Sequence, residues 1–109
     1  MREREVVEQI DTLSSELLLS LRKGGRAKQL DKNLFTRLTS AIEELERLLN
    51  NETHVSKDLV GKLWFIFTSM LAEADHANNP EPILSAAWDI QERLSRIFGP
   101  HFPDSSANA

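Results

Sequence analysis

The 109-residue sequence contains no cysteine and no tyrosine, and it has only four glycines and four prolines. The absence of cysteine excludes disulfides, thiolate metal ligands and a cysteine nucleophile, and it is compatible with a reducing compartment. So few glycines and prolines leave little material for the many turns of β architecture. The composition therefore favours an all-α protein, and a chain of this length is expected to form one domain.

The sequence also lacks an excess of positive charge, since its formal net charge is -4 at pH 7. Nucleic acid and anionic lipid both attract clustered cations, so neither is an expected partner. Residues 2–5 are all charged, and the N-terminus has no apolar segment typical of a secretory signal. The most apolar stretch, residues 59–74, contains Lys62 and is shorter than the roughly 20 residues of a membrane span. We expect a cytoplasmic protein that does not enter the membrane.

Four segments have the apolar spacing of amphipathic helices, from about residue 3 to 22, 32 to 49, 56 to 77 and 80 to 98. Asp31 and Asn79 are candidate N-caps, and Gly24 and Gly25 suit a left-handed helix end. The sequence GPHFP cannot continue the fourth helix beyond Phe98. We therefore expect one helical domain over residues 1–99 and a disordered C-terminal tail over residues 100–109.

Short connections between consecutive helices favour antiparallel neighbours, so the sequence predicts an antiparallel up-down-up-down four-helix bundle. The alternative is a set of helical hairpins that complete their core by dimerisation. The core-facing stripe of the third helix includes Trp64 at its edge, and that of the second helix includes Leu48. The second helix has no large apolar residue outside its stripe. The residues expected to share one core are Leu63, Phe67, Met70, Leu38, Leu45, Ile10, Leu17, Ile90 and Leu94.

Two large apolar residues fall outside the core stripes of their helices. Phe65 and Leu19 each lie about 100° beyond the stripe edge at helical spacing, and Phe65 falls among Gly61, Thr68 and Ala72. Isolated exposed apolar residues are common and need no function. A second apolar face with small residues would instead admit another helix, and a two-fold homodimer is the commonest such assembly. The candidate interface comprises Leu19, Gly61, Phe65, Thr68 and Ala72.

The segment RKGGRAK places Arg22, Lys23, Arg26 and Lys28 close together and is a weak candidate for anion or nucleic-acid binding. It lacks the residue order of a P-loop, and no aromatic residue is interleaved for base stacking. We expect a solvent-facing connection without a specific anion site.

Motifs for catalysis and metal binding are sparse. Glu73 and His76 have the Glu-x-x-His spacing of ferritin-like bundles, but a di-metal site needs a second such pair and further glutamates. No serine stands in a strand-to-helix elbow of the kind that activates a nucleophile. No metal ligand or cofactor is predicted, and an enzyme is the less favoured interpretation.

The sequence favours a small soluble helical protein-interaction module, such as a regulator, an adaptor or an immunity-type partner. It would act by binding another protein, through self-association as a homodimer. Two other classes stay open: a ligand-binding or metal-binding helical bundle with its pocket between helices, and a weak nucleic-acid or phosphate binder that uses residues 22–28.

Overall fold

The computed structural model describes residues 2–99, which form four α-helices and no strand. Its helices are α1 (Glu3–Lys23), α2 (Lys32–Leu49), α3 (Lys57–Asp75) and α4 (Glu81–Phe98). The predicted all-helical class is confirmed, and every helix begins and ends within two residues of its predicted bounds. The largest difference is at the end of α3, where His76 has a non-helical conformation. The predicted C-terminal tail, residues 100–109, lies outside the described residues.

Side-chain caps explain where the second and third helices begin. The Asp31 carboxylate accepts a hydrogen bond from the Leu34 amide at 3.0 Å, and the Ser56 hydroxyl accepts one from the Leu59 amide at 3.1 Å. Each bond satisfies an amide of the first turn that has no partner within its helix. After α1, Gly25 has a φ of 59°, a left-handed conformation that glycine adopts without strain.

The predicted cap of α4 is wrong. Pro80, not Asn79, occupies the N-cap position, and no side chain caps this helix. Because Pro80 and Pro82 carry no amide hydrogen, the beginning of α4 has fewer donors that need a cap.

Two helical hairpins build the domain. α1 packs on α2 and α3 packs on α4, and the hairpins meet where α1 contacts α3 and α2 contacts α4. Within residues 2–99, α2 makes no close backbone contact with α3, and α1 makes none with α4. This pairing is consistent with a bundle. Consecutive helices were expected to be neighbours, and this expectation is wrong for α2 and α3, which are not in contact. The connection over residues 50–56 can extend roughly 20 Å, enough to cross the end of the domain.

Ion pairs give the relative direction of α2 and α4. Arg93 bonds to Glu43, and Arg96 Nε lies 3.3 Å from Glu46 Oε1. Since residue numbers increase together in the two helices, α2 and α4 run in the same direction where they touch. The hydrogen bond from Arg93 also lowers the pKa of the Glu43 carboxyl.

One continuous apolar core joins all four helices, and it confirms the predicted core set. The shared core contains Ile10, Leu17, Leu38, Leu45, Leu63, Phe67, Met70, Ile90 and Leu94. Two expectations are wrong, because Leu48 is 37% exposed and Trp64 is 41% exposed. Both residues lie at an edge of their helix's apolar stripe, where the neighbouring helices no longer cover the side chain.

Candidate functional site: the groove between α1 and α3

A groove of about 600 Å³ runs between α1 and α3. The residues that line it are Asp11, Ser14, Ser15 and Leu18 on α1, with Lys57, Asp58, Gly61, Lys62 and Phe65 on α3. We call this feature the α1–α3 groove. Its α1 residues recur every three or four positions, as do those on α3, so each helix contributes one continuous wall.

The two walls run in the same direction. Residues 11–18 of α1 face the groove together with residues 57–65 of α3. Further along both helices, Arg22 Nε lies 3.4 Å from Glu73 Oε2. Position along α1 therefore rises with position along α3, so the two helices run in the same direction where they line the groove.

The two most exposed large apolar side chains among residues 2–99 are Phe65, in the groove, and Leu19, beside it. Phe65 is 58% exposed and Leu19 is 53% exposed, which confirms that both lie outside the core. Phe65 lines the groove itself. Leu19 does not line it, but it follows Leu18 directly and lies one turn after Ser15, at the rim of the α1 wall.

We call the surface of Leu19, Gly61, Phe65, Thr68 and Ala72 the α1–α3 face, and its residues on α3 other than Phe65 are small. No atom lies within 4 Å of the position that a Cβ on Gly61 would occupy, so this backbone is open to an approaching group. Ala72 is exposed. The Thr68 hydroxyl bonds to the carbonyls of Trp64 and Phe65 at 3.1 and 3.3 Å, so it brings no unpaired polar group to the face.

Charges of both signs border the groove. Lys62 Nζ lies 3.2 Å from Asp58 Oδ2 on the same helix. Asp11 on α1 and Lys57 on α3 take part in none of the ion pairs made by the described residues.

Ser14 contributes a buried polar atom at the α1 wall. Its side chain is 8% exposed, and its hydroxyl oxygen has no hydrogen-bond partner among the described residues. A buried hydroxyl without a partner costs on the order of 1–3 kcal/mol. Sequence reasoning missed Ser14, although helical spacing places it inside the α1 stripe between Leu21 and Val7, because a single serine in an apolar stripe has no motif that indicates a function.

The basic segment between α1 and α2 packs against α3. Lys28 Nζ lies 3.0 Å from Glu73 Oε1 and 3.2 Å from the Leu21 carbonyl oxygen, and the Asn78 amide donates to the Arg26 carbonyl at 2.8 Å. The expectation of a solvent-facing connection is wrong for Lys28, whose side chain is 6% exposed. Glu73 thus engages two of the four predicted cations, Arg22 and Lys28, whereas Lys23 and Arg26 are exposed.

The same contacts change the chemistry of Glu73. Burial raises the pKa of its carboxyl, but hydrogen bonds and charge from Lys28 and Arg22 outweigh burial and hold that pKa below its ordinary value of 4.5. The carboxylate therefore pairs with cations of its own chain, while His76 forms the C-cap of α3. Among residues 2–99, no three histidine, aspartate or glutamate side chains come together in a way that would hold a metal ion.

A second aromatic feature lies where α3 meets α4. The Phe67 ring centroid lies 5.5 Å from that of Trp64 and 5.5 Å from that of Trp88. Both tryptophans are partly exposed, whereas Phe67 is buried between them. These ring contacts pack α3 against α4. Phe65 lies on a different side of α3, where it lines the groove.

Comparisons with protein-family models, with curated proteins and with solved structures find no match to this chain. No helix among residues 2–99 combines the length and the apolar character that crossing a membrane requires. The α1–α3 groove and the face beside it are thus the features from which a function has to be inferred.

Proposed function

We propose that this chain is a small protein-interaction module of the cytoplasm that acts by binding and self-associates as a homodimer through the α1–α3 face. The observation that carries the proposal is Phe65, which is 58% exposed beside the open backbone of Gly61. In a dimer, the exposed phenyl ring of one copy can pack against the small-residue surface of the other copy. A two-fold dimer uses such a surface twice, because each copy presents the same patch.

The composition of the face supports protein binding over catalysis. It combines Phe65, Leu19 and Ala72 with small residues, and its charged groups lie along the groove walls. An apolar centre with a polar rim is the usual anatomy of a protein interface. In this proposal the four helices alternate in direction, up-down-up-down, so that α1 and α3 present one nearly flat two-helix surface.

The size of the face sets the expected affinity. A 19-residue α3 is about 28 Å long at 1.5 Å per residue, and two adjacent helices are roughly 20 Å wide. One copy would therefore bury on the order of 600 Å², slightly below the usual 800 Å² per partner. We expect dissociation in the micromolar range, in keeping with a regulatory contact rather than an obligate dimer.

Light scattering after size-exclusion chromatography tests the proposal. The wild-type chain should have the mass of a dimer at high micromolar concentration, and Phe65→Glu should have half that mass with an unchanged far-ultraviolet circular dichroism spectrum. Leu48→Glu is the matched control, because Leu48 is also a partly exposed apolar residue but lies on α2, which does not contact α3. The control should stay dimeric.

Two results would contradict the homodimer. A wild-type chain that is monomeric at high micromolar concentration has no such interface, and a Phe65→Glu variant that unfolds shows that Phe65 supports the core.

The unpartnered Ser14 hydroxyl favours a second candidate, in which the groove binds a small ligand with a hydrogen-bonding group. Monomeric protein that is stabilised against heat by members of a metabolite panel, and is not stabilised after Gly61→Leu, would support this alternative.

A further inference from the structure

Phe65 and Gly61 lie on the same side of α3, one helical turn apart. Their positions differ by four, so they are separated by about 6 Å along the helix and by about 40° around it. The Phe65 side chain is 58% exposed, and it leaves the Cβ position on Gly61 free of any atom within 4 Å. One side of α3 therefore carries a protruding ring and, one turn before it, an open stretch of backbone that the ring of the same chain does not cover.

We propose that two copies associate about a two-fold axis that lies in the α1–α3 face perpendicular to α3, so that α3 of one copy packs antiparallel on α3 of the other. This inference rests on the proposed self-association and specifies which residues meet. An axis at the level of Leu63, midway between Gly61 and Phe65, places the ring of each copy over the glycine of the other. The symmetry forms this contact twice.

The spacing of the two residues makes α3 complementary to a second copy of itself. In antiparallel helices, a residue before the axis faces a residue equally far behind it, so a ring and an open site one turn apart match those of the second copy. Thr68 and Ala72 continue the same side of α3 and are small, which permits a short distance between the helix axes. Lys62 approaches the axis together with its own counter-charge, because its Nζ lies 3.2 Å from Asp58 Oδ2.

An axis parallel to the helices gives a different contact. It would place α1 of one copy over α3 of the other, so Phe65 would meet α1, which contains no glycine over Glu3–Lys23. The ring and the open backbone would then not pair with each other. With the perpendicular axis, a single contact covers Phe65 and fills the space beside Gly61.

Exchanging the two residues within one chain tests the pairing by sedimentation equilibrium. Gly61→Phe alone places ring against ring, and Phe65→Gly alone places glycine against glycine, so each should raise the dimer dissociation constant by about tenfold or more. The double variant, Gly61→Phe with Phe65→Gly, again places a ring against a glycine. It should bind at least about fivefold more tightly than either single variant, whereas unpaired positions would give a double variant weaker than both. Far-ultraviolet circular dichroism checks that each variant is folded.

Gly61→Ala separates the contact between copies from the stability of one copy. A methyl group at position 61 occupies the space that the ring of the second copy fills, so the dimer dissociation constant should rise by about fivefold. The melting temperature of the dilute, monomeric protein should rise as well, since alanine favours a helix more than glycine does. An unchanged or lower dissociation constant would show that the ring does not meet Gly61.

The absence of cysteine from the wild-type chain permits a direct distance measurement. Asp75→Cys introduces one spin label at the end of α3, twelve positions beyond Leu63. Antiparallel copies carry their labels at opposite ends of the dimer, about 36 Å apart along α3 at 1.5 Å per residue. A parallel axis would hold both labels at the same end, roughly 20 Å apart or less. Double electron–electron resonance distinguishes these distances, and it does so whether or not the double variant folds.

The outcomes separate this inference from the proposed function. If Phe65→Glu dissociates the dimer but the double variant binds more weakly than both single variants, or if the labels lie at the same end, the surface is correct and the antiparallel pairing is wrong. If the wild-type chain is monomeric in both light scattering and sedimentation, the proposed self-association itself fails and the pairing fails with it.

Discussion

Lys28 Nζ lies 3.0 Å from Glu73 Oε1, and this ion pair fastens the connection between α1 and α2 to the C-terminal turn of α3. Lys28 also donates to the Leu21 carbonyl oxygen at the end of α1, where the helix has unpaired acceptors. The contact therefore joins a helix end, a loop and a second helix through one buried ammonium group. It is a stronger structural tie than the exposed pairs elsewhere on the surface.

Replacing Glu73 should show the value of this tie. Glu73→Gln leaves the buried Lys28 ammonium without its counter-charge, so urea unfolding at neutral pH should give a loss on the order of 1–3 kcal/mol. Glu8→Gln is the control, because its pair with Arg4 is solvent-exposed and its loss should be small. An equally small loss for Glu73→Gln would contradict the structural role assigned to this pair.

The pH dependence follows from the same carboxyl. Because the folded-state pKa of Glu73 lies below its ordinary value of 4.5, the folded chain binds fewer protons there than the unfolded chain. The stabilisation is present above pH 4.5 and is lost as the pH falls through the folded-state pKa. The wild-type free energy of unfolding should therefore fall more steeply below pH 4.5 than that of Glu73→Gln. Parallel curves for the two proteins would contradict this assignment.

Two phenylalanines on α3 provide a matched test of the core. Phe67 is buried against Trp64 and Trp88, whereas Phe65 is largely exposed. Phe67→Ala should lower the free energy of unfolding by about 3 kcal/mol or more. Phe65→Ala should lower it by less than about 1 kcal/mol when the protein is dilute enough to be monomeric. Similar losses for the two variants would mean that the core assignment of α3 is wrong.

Ser14 should be replaceable without loss. Ser14→Ala removes a buried hydroxyl that has no partner, so stability should stay constant or rise by up to about 1 kcal/mol. Thr39→Val is the contrasting variant, because the Thr39 hydroxyl donates to the Thr36 carbonyl at 3.0 Å. Thermal unfolding of both variants gives the comparison, and Thr39→Val should lower the free energy of unfolding by roughly 1 kcal/mol. A clear loss for Ser14→Ala would reveal a bond that this hydroxyl makes.

Gly61 should accept a methyl group more readily than Gly24. A Cβ on Gly61 meets no atom within 4 Å, so Gly61→Ala should stabilise the monomer by about 0.5–1 kcal/mol through helix propensity. A Cβ on Gly24 would lie 3.0 Å from the Lys28 Cα, and Gly24→Ala should destabilise the fold. Thermal unfolding compares the two variants directly. A destabilised Gly61→Ala variant would contradict the open surroundings of Gly61.

Local signals in the sequence were sufficient to predict much of this fold. Asp31 marks the start of α2 because capping depends on amides only three residues away. Helical rotation was sufficient to place Phe65 and Leu19 outside the core, since the angle between residues on one helix is fixed by the backbone. The interface built on those two residues stays a prediction, because exposure does not identify what covers a surface.

Relationships between distant segments could not be predicted in the same way. Leu48 and Trp64 lie at stripe edges, and their exposure depends on which helices are neighbours. Lys28 looked like part of a free basic loop because its partner Glu73 lies on another helix.

The placement of the aromatic side chains gives the unlabelled chain two optical signals of different origin. Its only tryptophans, Trp64 and Trp88, are in α3 and α4, and it has no tyrosine. Indole fluorescence therefore reports on the α3–α4 hairpin, whereas far-ultraviolet ellipticity sums all four helices. Superimposed melting curves would mean that the two hairpins unfold as one cooperative unit. Ellipticity lost before fluorescence would mean that the α1–α2 hairpin, and with it one wall of the groove, can open while the other hairpin stays folded.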